Sequence, residues 1–96
     1  MIKMEDSYSY PLDISWTQEE MLAVMDMWQA LEDLYEKGMS ASLFLEKHGN
    51  FKKVVKSIGE ERSLGKEFEA VSGYSLYRAV AAAKKAPGTV IKMKGA

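Results

Sequence analysis

Apolar residues recur at spacings of three and four along one stretch of the chain: Met21, Val24, Met25, Trp28, Leu31 and Tyr35. That spacing lines one face of a helix. Met27 and Leu34 widen the stripe, while Asp26, Gln29, Asp33 and Glu36 form the opposite, wet face. Thr17 followed by Glu20 is a capping box, in which each side chain satisfies a free backbone N–H of the other residue. Glu19 adds an acid where the helix dipole favours one. Gly38 supplies the left-handed residue with which helices commonly end. A stripe this wide meets neighbours on more than one side, so this helix is the expected centre of the fold.

The later patterns are shorter. A second helix is expected after Ser40, carrying Leu43, Phe44 and His48, with "HGN" at 48–50 interrupting it and a short helical piece resuming through Phe51, Val54 and Val55. Ser57 and Glu60 make a second capping box, opening a third helix whose apolar stripe is Leu64, Phe68 and Val71. Gly59 and Gly65 weaken that helix by up to about 1 kcal/mol each relative to alanine. Gly73 is the natural left-handed residue at its end. A fourth helix spans about 75–86, with Tyr77, Val80 and Ala81 facing inward and Pro87-Gly88 stopping it. The tail "TVIKMKGA" alternates apolar residues with Lys. The alternation suits a short edge strand, but terminal residues fray readily, and residues 88–96 are expected to be mobile.

Ahead of the first helix, residues 1–14 are expected to be extended. Pro11 fixes its own φ and disfavours the helical region at Tyr10. Trp16, just before the N-cap, suits a hydrophobic staple. Leu12, Ile14 and Trp16 are expected to reach across the bundle and cover a groove that four short helices leave open. The fold class is therefore all-α: a single domain over residues 1–96, a compact bundle of about four helices with an aromatic N-terminal arm packed across it.

Composition narrows the function. The chain has 96 residues, 47% apolar and 28% charged, as an ordinary globular domain has. There is no cysteine, so disulfides and thiolate metal sites are excluded. No apolar run approaches the roughly 18 residues of a membrane span. The first residues, "MIKMEDSYSY", lack the apolar region of a secretory signal, and a cytoplasmic location is expected. The net charge of −1 hides a segregation: residues 1–50 carry three Lys/Arg and ten Asp/Glu, residues 51–96 ten Lys/Arg and four Asp/Glu. Opposite charges of this kind either neutralise each other between helices or meet across a self-interface. The sharper alternative is a basic face for nucleic acid or another anion.

Catalytic constellations are missing. The one histidine, His48, has no thiol or second histidine to work with, which removes Cys-His and histidine-rich metal sites by count. No serine sits in a G-x-S-x-G elbow, and no phosphate-binding glycine loop is present. Adjacent acids such as Glu60-Glu61 diverge on a helix and do not converge on one metal. No catalytic residue, metal or cofactor is implied. Two clusters remain as binding candidates. Lys52, Lys53, Lys56, Arg62 and Lys66 form a candidate anion or nucleic-acid patch, although scattered helical lysines are commonly just a solvated face. Tyr74, Tyr77 and Arg78 in "GYSLYR", with Tyr8 and Tyr10 of the arm, form a candidate interaction surface, although tyrosines at a helix junction equally serve the core.

Taken in order, "YSYPLDISWTQEEM", "LEDLYEKG", "FKKVV" and "SIGEERSLGKEFEAVSGYSLYRAVAAAKK" resemble a YktA-like family of short uncharacterised proteins from Gram-positive bacteria. The resemblance covers residues 8–85 and leaves out the tail after Pro87. It implies a compact helical fold and no activity. Family members tend to carry proline and serine ahead of the third helix. Here Lys56-Ser57 leaves that start less fixed. The expected role is a small cytoplasmic helical interaction or adaptor domain, without catalytic activity, binding a protein partner or itself as a homodimer. Seven methionines suit an adaptable contact surface. A nucleic-acid-binding accessory module is the alternative, and no membrane partner is expected.

Overall fold

Thr17 opens the first helix as its sequence requires. Its hydroxyl accepts the Glu20 N–H at 3.1 Å and the Glu20 carboxylate accepts the Thr17 N–H at 2.9 Å. The computed structural model describes residues 10–94. It contains four helices, α1 (Gln18–Glu36), α2 (Ala41–Val54), α3 (Ile58–Ser72) and α4 (Leu76–Lys85), and two short strands, β1 (Met39–Ser40) and β2 (Val90–Ile91). The fold is the expected all-α bundle. α1 is its centre: Val24, Met27, Trp28, Leu31 and Leu34 are fully buried. Phe44 and Phe51 of α2, Phe68 of α3 and Ala79 and Ala83 of α4 close on them.

One indole organises the aromatic core. Trp28 stacks on Phe68 at 4.8 Å and meets Phe51 edge-on at 5.5 Å. Its Nε1 donates to the Pro11 carbonyl at 3.1 Å. A buried indole N–H needs such a partner, and the arm supplies it. Tyr10 continues the same path, reaching Phe68 at 6.0 Å between ring centres. Trp16 packs on the edge of the core. The arm therefore crosses α1 toward α3, but not with every residue expected: Ile14 is 96% exposed and Leu12 is also exposed. They sit in the turn that redirects the chain into α1 and point away from the bundle.

α2 departs from the sequence expectation. It runs without a break through His48-Gly49-Asn50. Ala41, Phe44, His48, Phe51 and Val55 share one face, and His48 stacks on Phe51. Burial of that face outweighs the roughly 1 kcal/mol that glycine costs in a helix. α3 begins at the Ser57 cap, whose hydroxyl accepts the Glu60 N–H at 3.0 Å, and ends at Gly73 with φ 82°. Only Gly65 and Phe68 of α3 are buried, and Val71 is exposed. In α4 the inward residues are Leu76, Ala79, Val80 and Ala83. Tyr77 is 81% exposed and Ala81 is also exposed, because the buried face starts one residue earlier than the sequence suggested.

The tail, expected to be mobile, is tied down as far as Met93. β2 pairs antiparallel with β1, Met39 opposite Ile91 and Ser40 opposite Val90. The Thr89 carbonyl accepts the Ala41 N–H at 2.8 Å, and the Met93 N–H donates to the Leu34 carbonyl at 3.1 Å. Ala41 opens α2 and Leu34 lies in the last turn of α1. A helix leaves its first N–H and last C=O groups without internal partners, and the tail satisfies one of each. Gly38, at φ 90°, lets the strand pass: a side chain there would press within 3.3 Å of Ile91 and Lys92.

Candidate functional site

α2, α3 and α4 leave a groove of about 960 Å³ between them. Its position follows from the thin packing of α3, which commits little besides Gly65 and Phe68 to the core. At Gly65 the helices approach closely, since a Cβ there would meet Leu76 at 3.6 Å. Away from that point they splay. The apolar floor is Ile58, Leu76, Tyr77, Val80 and Ala81. Ile58 and Tyr77 of this floor are exposed to solvent, and Leu76 and Val80 are buried beneath them. Arg62 and Lys66, one turn apart on α3, and Lys84 on α4 stand around it, with the carboxylate of Glu69 among them. Among the described residues none of the three has a carboxylate partner.

One end of the groove is closed by a polar clamp. Glu61 of α3 receives Lys52 Nζ at 2.8 Å and lies 2.9 Å from His48 Nε2. An ionised carboxylate only accepts, so Nε2 carries the hydrogen of that bond. Partial burial opposes ionisation of Glu61, but the two hydrogen bonds outweigh it and hold the carboxyl below its ordinary range. The clamp joins α2 to α3 and engages the only histidine.

The candidate patches separate in space. Of the basic set, Lys52 belongs to the clamp, Arg62 and Lys66 line the groove, and Lys53 and Lys56 are exposed outside its lining. α3 itself carries Glu60, Glu61, Glu67 and Glu69 against Arg62 and Lys66. Of the aromatic set, Tyr8 lies outside the described residues. Tyr10 and Tyr74 come together along the acidic row of α1, donating to Glu32 and to Glu36, each at 2.8 Å. Tyr74 also stacks on Tyr35 at 4.6 Å. Burial, then the bond to Glu32, pushes the Tyr10 phenol above its ordinary range. Burial and the bond to Glu36 push Tyr74 up to about 12. Tyr77 faces the groove instead, and Arg78 is exposed. Lys84, Ile58 and Val80 complete the groove, and sequence reasoning did not connect them. The available signal was Ile58 and Tyr77, large apolar residues just inside two helix starts. Among the described residues no group of three or more His, Asp or Glu is placed to hold a metal.

The bundle and its groove define a small helical domain with a solvent-facing apolar cleft and a cationic rim. The chain belongs to the uncharacterised protein family UPF0223, whose model matches residues 7–92. It is similar to a UPF0223 protein of Enterococcus faecalis, 52% identical over 86 residues, covering 90% of this chain and 94% of the relative. A UPF0223 protein of Streptococcus gordonii is 48% identical over 90 residues, covering 94% and 98%. One from Streptococcus pneumoniae strain CGSP14 is 51% identical over 82 residues, covering 85% and 89%. The family match extends past residue 85 to include β2, in keeping with the tail's place in the fold.

Proposed function

We propose that the protein is a non-catalytic helical interaction domain whose groove receives an acidic amphipathic segment of a protein partner. The observation that carries this reading is the pairing of a partly exposed apolar floor with Arg62, Lys66 and Lys84, which have no carboxylate partner among the described residues. An amphipathic helix laid in such a cleft buries its apolar face and sets its carboxylates against the rim. His48 and Lys52 are both held by Glu61, which leaves Arg62, Lys66 and Lys84 to face a partner. No described helix is long and apolar enough to cross a membrane, and a cytoplasmic site of action goes with this reading. Nucleic acid is favoured less, because Lys53 and Lys56 stand apart from Arg62 and Lys66 of the groove.

The test is a titration of isotope-labelled protein with a synthetic acidic amphipathic helical peptide, followed by amide shifts. Shifts are expected to concentrate at Arg62, Lys66, Tyr77 and Lys84, and to vanish when Arg62 and Lys66 are both reversed to Glu. Absence of shifts, or equal binding by the reversed variant, overturns the reading. Salt-sensitive retention on mixed DNA and RNA, lost on reversing Lys53 and Lys56 to Glu, would transfer it to nucleic acid.

A further inference from the structure

Among the described residues, no ion pair joins a Lys or Arg of residues 51–94 to an Asp or Glu of residues 10–50. Lys37 meets Asp33 and Lys47 meets Asp26, both within the first part, while Lys52 meets Glu61 within the second. The cationic rim of the groove is thus left facing outward, and so is the acidic entry to α1.

That entry has the chemistry the groove lacks. Residues 12–22 carry Asp13, Glu19 and Glu20 and no Lys or Arg. Three of their apolar side chains are exposed, Ile14 at 96%, Leu22 at 56% and Leu12 at 37%. The turn that presents Ile14 is fixed. The Asp13 carboxylate accepts the Ser15 N–H at 2.9 Å, and the Asp13 carbonyl accepts the Trp16 N–H at 3.0 Å. The bond from Ser15 lowers the Asp13 carboxyl below its ordinary range, and the two bonds place Ile14 at the tip of the turn. None of residues 10–22 lines the molecule's own groove.

We infer that the groove of one molecule receives the α1 entry of a second copy, with Ile14 on the apolar floor and Asp13 and Glu19 against Arg62, Lys66 and Lys84. This rests on the reading of the groove as a docking site and names its occupant. Knob and groove are different surfaces, so the contact is head-to-tail and propagates into short chains unless it closes. Exposed charges dominate it, which makes it weak and salt-sensitive.

Sedimentation velocity of the full chain across a concentration series tests it. At low salt the mean sedimentation coefficient rises with concentration, and at high salt it falls back to that of the monomer. Ile14→Lys and Lys66→Glu each weaken association by about tenfold or more. Both residues are exposed, and an unchanged thermal midpoint shows that each variant folds. Mixed in equal amounts, the two variants pair again: the first keeps an intact groove, the second an intact knob. Their complex stops at one to one because neither can extend it. A wild-type chain that stays monomeric at every concentration, or a mixture that shows no recovery, overturns the inference. If the acidic peptide still shifts the groove of a strictly monomeric protein, self-docking has failed and the groove reading stands.

Discussion

Tyr35 uses one hydroxyl for two bonds across the fold, donating to the Ser75 carbonyl at 2.9 Å and accepting the Ser75 N–H at 3.1 Å. Ser75 in turn caps α4 by accepting the Arg78 N–H. Tyr35→Phe keeps the ring and its stacking on Tyr74 but leaves the buried Ser75 N–H without its partner, while the Ser75 carbonyl still accepts the Ala79 N–H at 3.2 Å. It should cost about 1–3 kcal/mol, read as a lower urea midpoint with the slope unchanged. Nothing in the sequence announces this pair, because the partners lie 40 residues apart and Ser75 uses its backbone. The sequence marked Tyr35 only as apolar. Glu61 offers a second check at this scale. Its folded carboxyl lies below the unfolded value of about 4.5. The stabilisation is therefore complete above that value and is lost as pH falls through the folded one. Wild type should lose stability on acidification faster than Glu61→Gln, with the difference confined below the ordinary carboxylate range. Denaturation midpoints measured from neutral to acid pH, in parallel for both proteins, give that difference directly.

Among the elements, α1 was the most legible. Its capping box, its stripe and the turn at Gly38 are all local signals, and each holds. α2 was less so, since "HGN" reads as a break and the structure is helical there. The reason is tertiary: Phe44 and Phe51 both lie in the core and the residues between them must follow. Gly49 is thus a helical residue with no packing role, since nothing lies within 4 Å of where its Cβ would sit. Gly49→Ala should stabilise the protein by about 0.5–1 kcal/mol, raising the thermal midpoint while leaving the groove intact. An unchanged or lower midpoint would mean that the helix is already interrupted there. α4 shows the other limit of local reading. Its run of small residues forms a helix as expected, but its rotational setting differs, which moved Tyr77 from the core to the groove. A pattern of alanines gives helicity without saying which face is buried, because every face is equally small.

For the molecule as a whole, the balance between the two ends of the chain decides most. The arm and the tail both close on α1, one satisfying the Trp28 indole and the other the Leu34 carbonyl. The α1–α2 connection is only residues 37–40, and without the tail the Ala41 N–H loses its partner and Ile91 and Met93 leave the edge of the core. Half-burial of two such side chains is worth about 1 kcal/mol each, and the lost backbone bonds add a comparable amount. Removal of residues 88–96 should therefore destabilise the protein by about 2–4 kcal/mol. Urea titration of the truncated and full chains measures the total. Amide exchange at Ala41 locates it, with protection lost there first and kept longest at Trp28 and Leu31. A truncated chain as stable as the full one would show that β1 and β2 merely lie side by side. The charge pattern was legible from the start as a segregation, but its consequence was not. Whether opposite charges cancel within a fold depends on which faces the helices turn toward each other. Here Glu32 and Glu36 of α1 accept from Tyr10 and Tyr74 and Asp26 meets Lys47, while Arg62, Lys66 and Lys84 of α3 and α4 turn to the groove. In the proposed contact between molecules the two fields meet, and raising salt should weaken that contact without lowering the stability of the bundle.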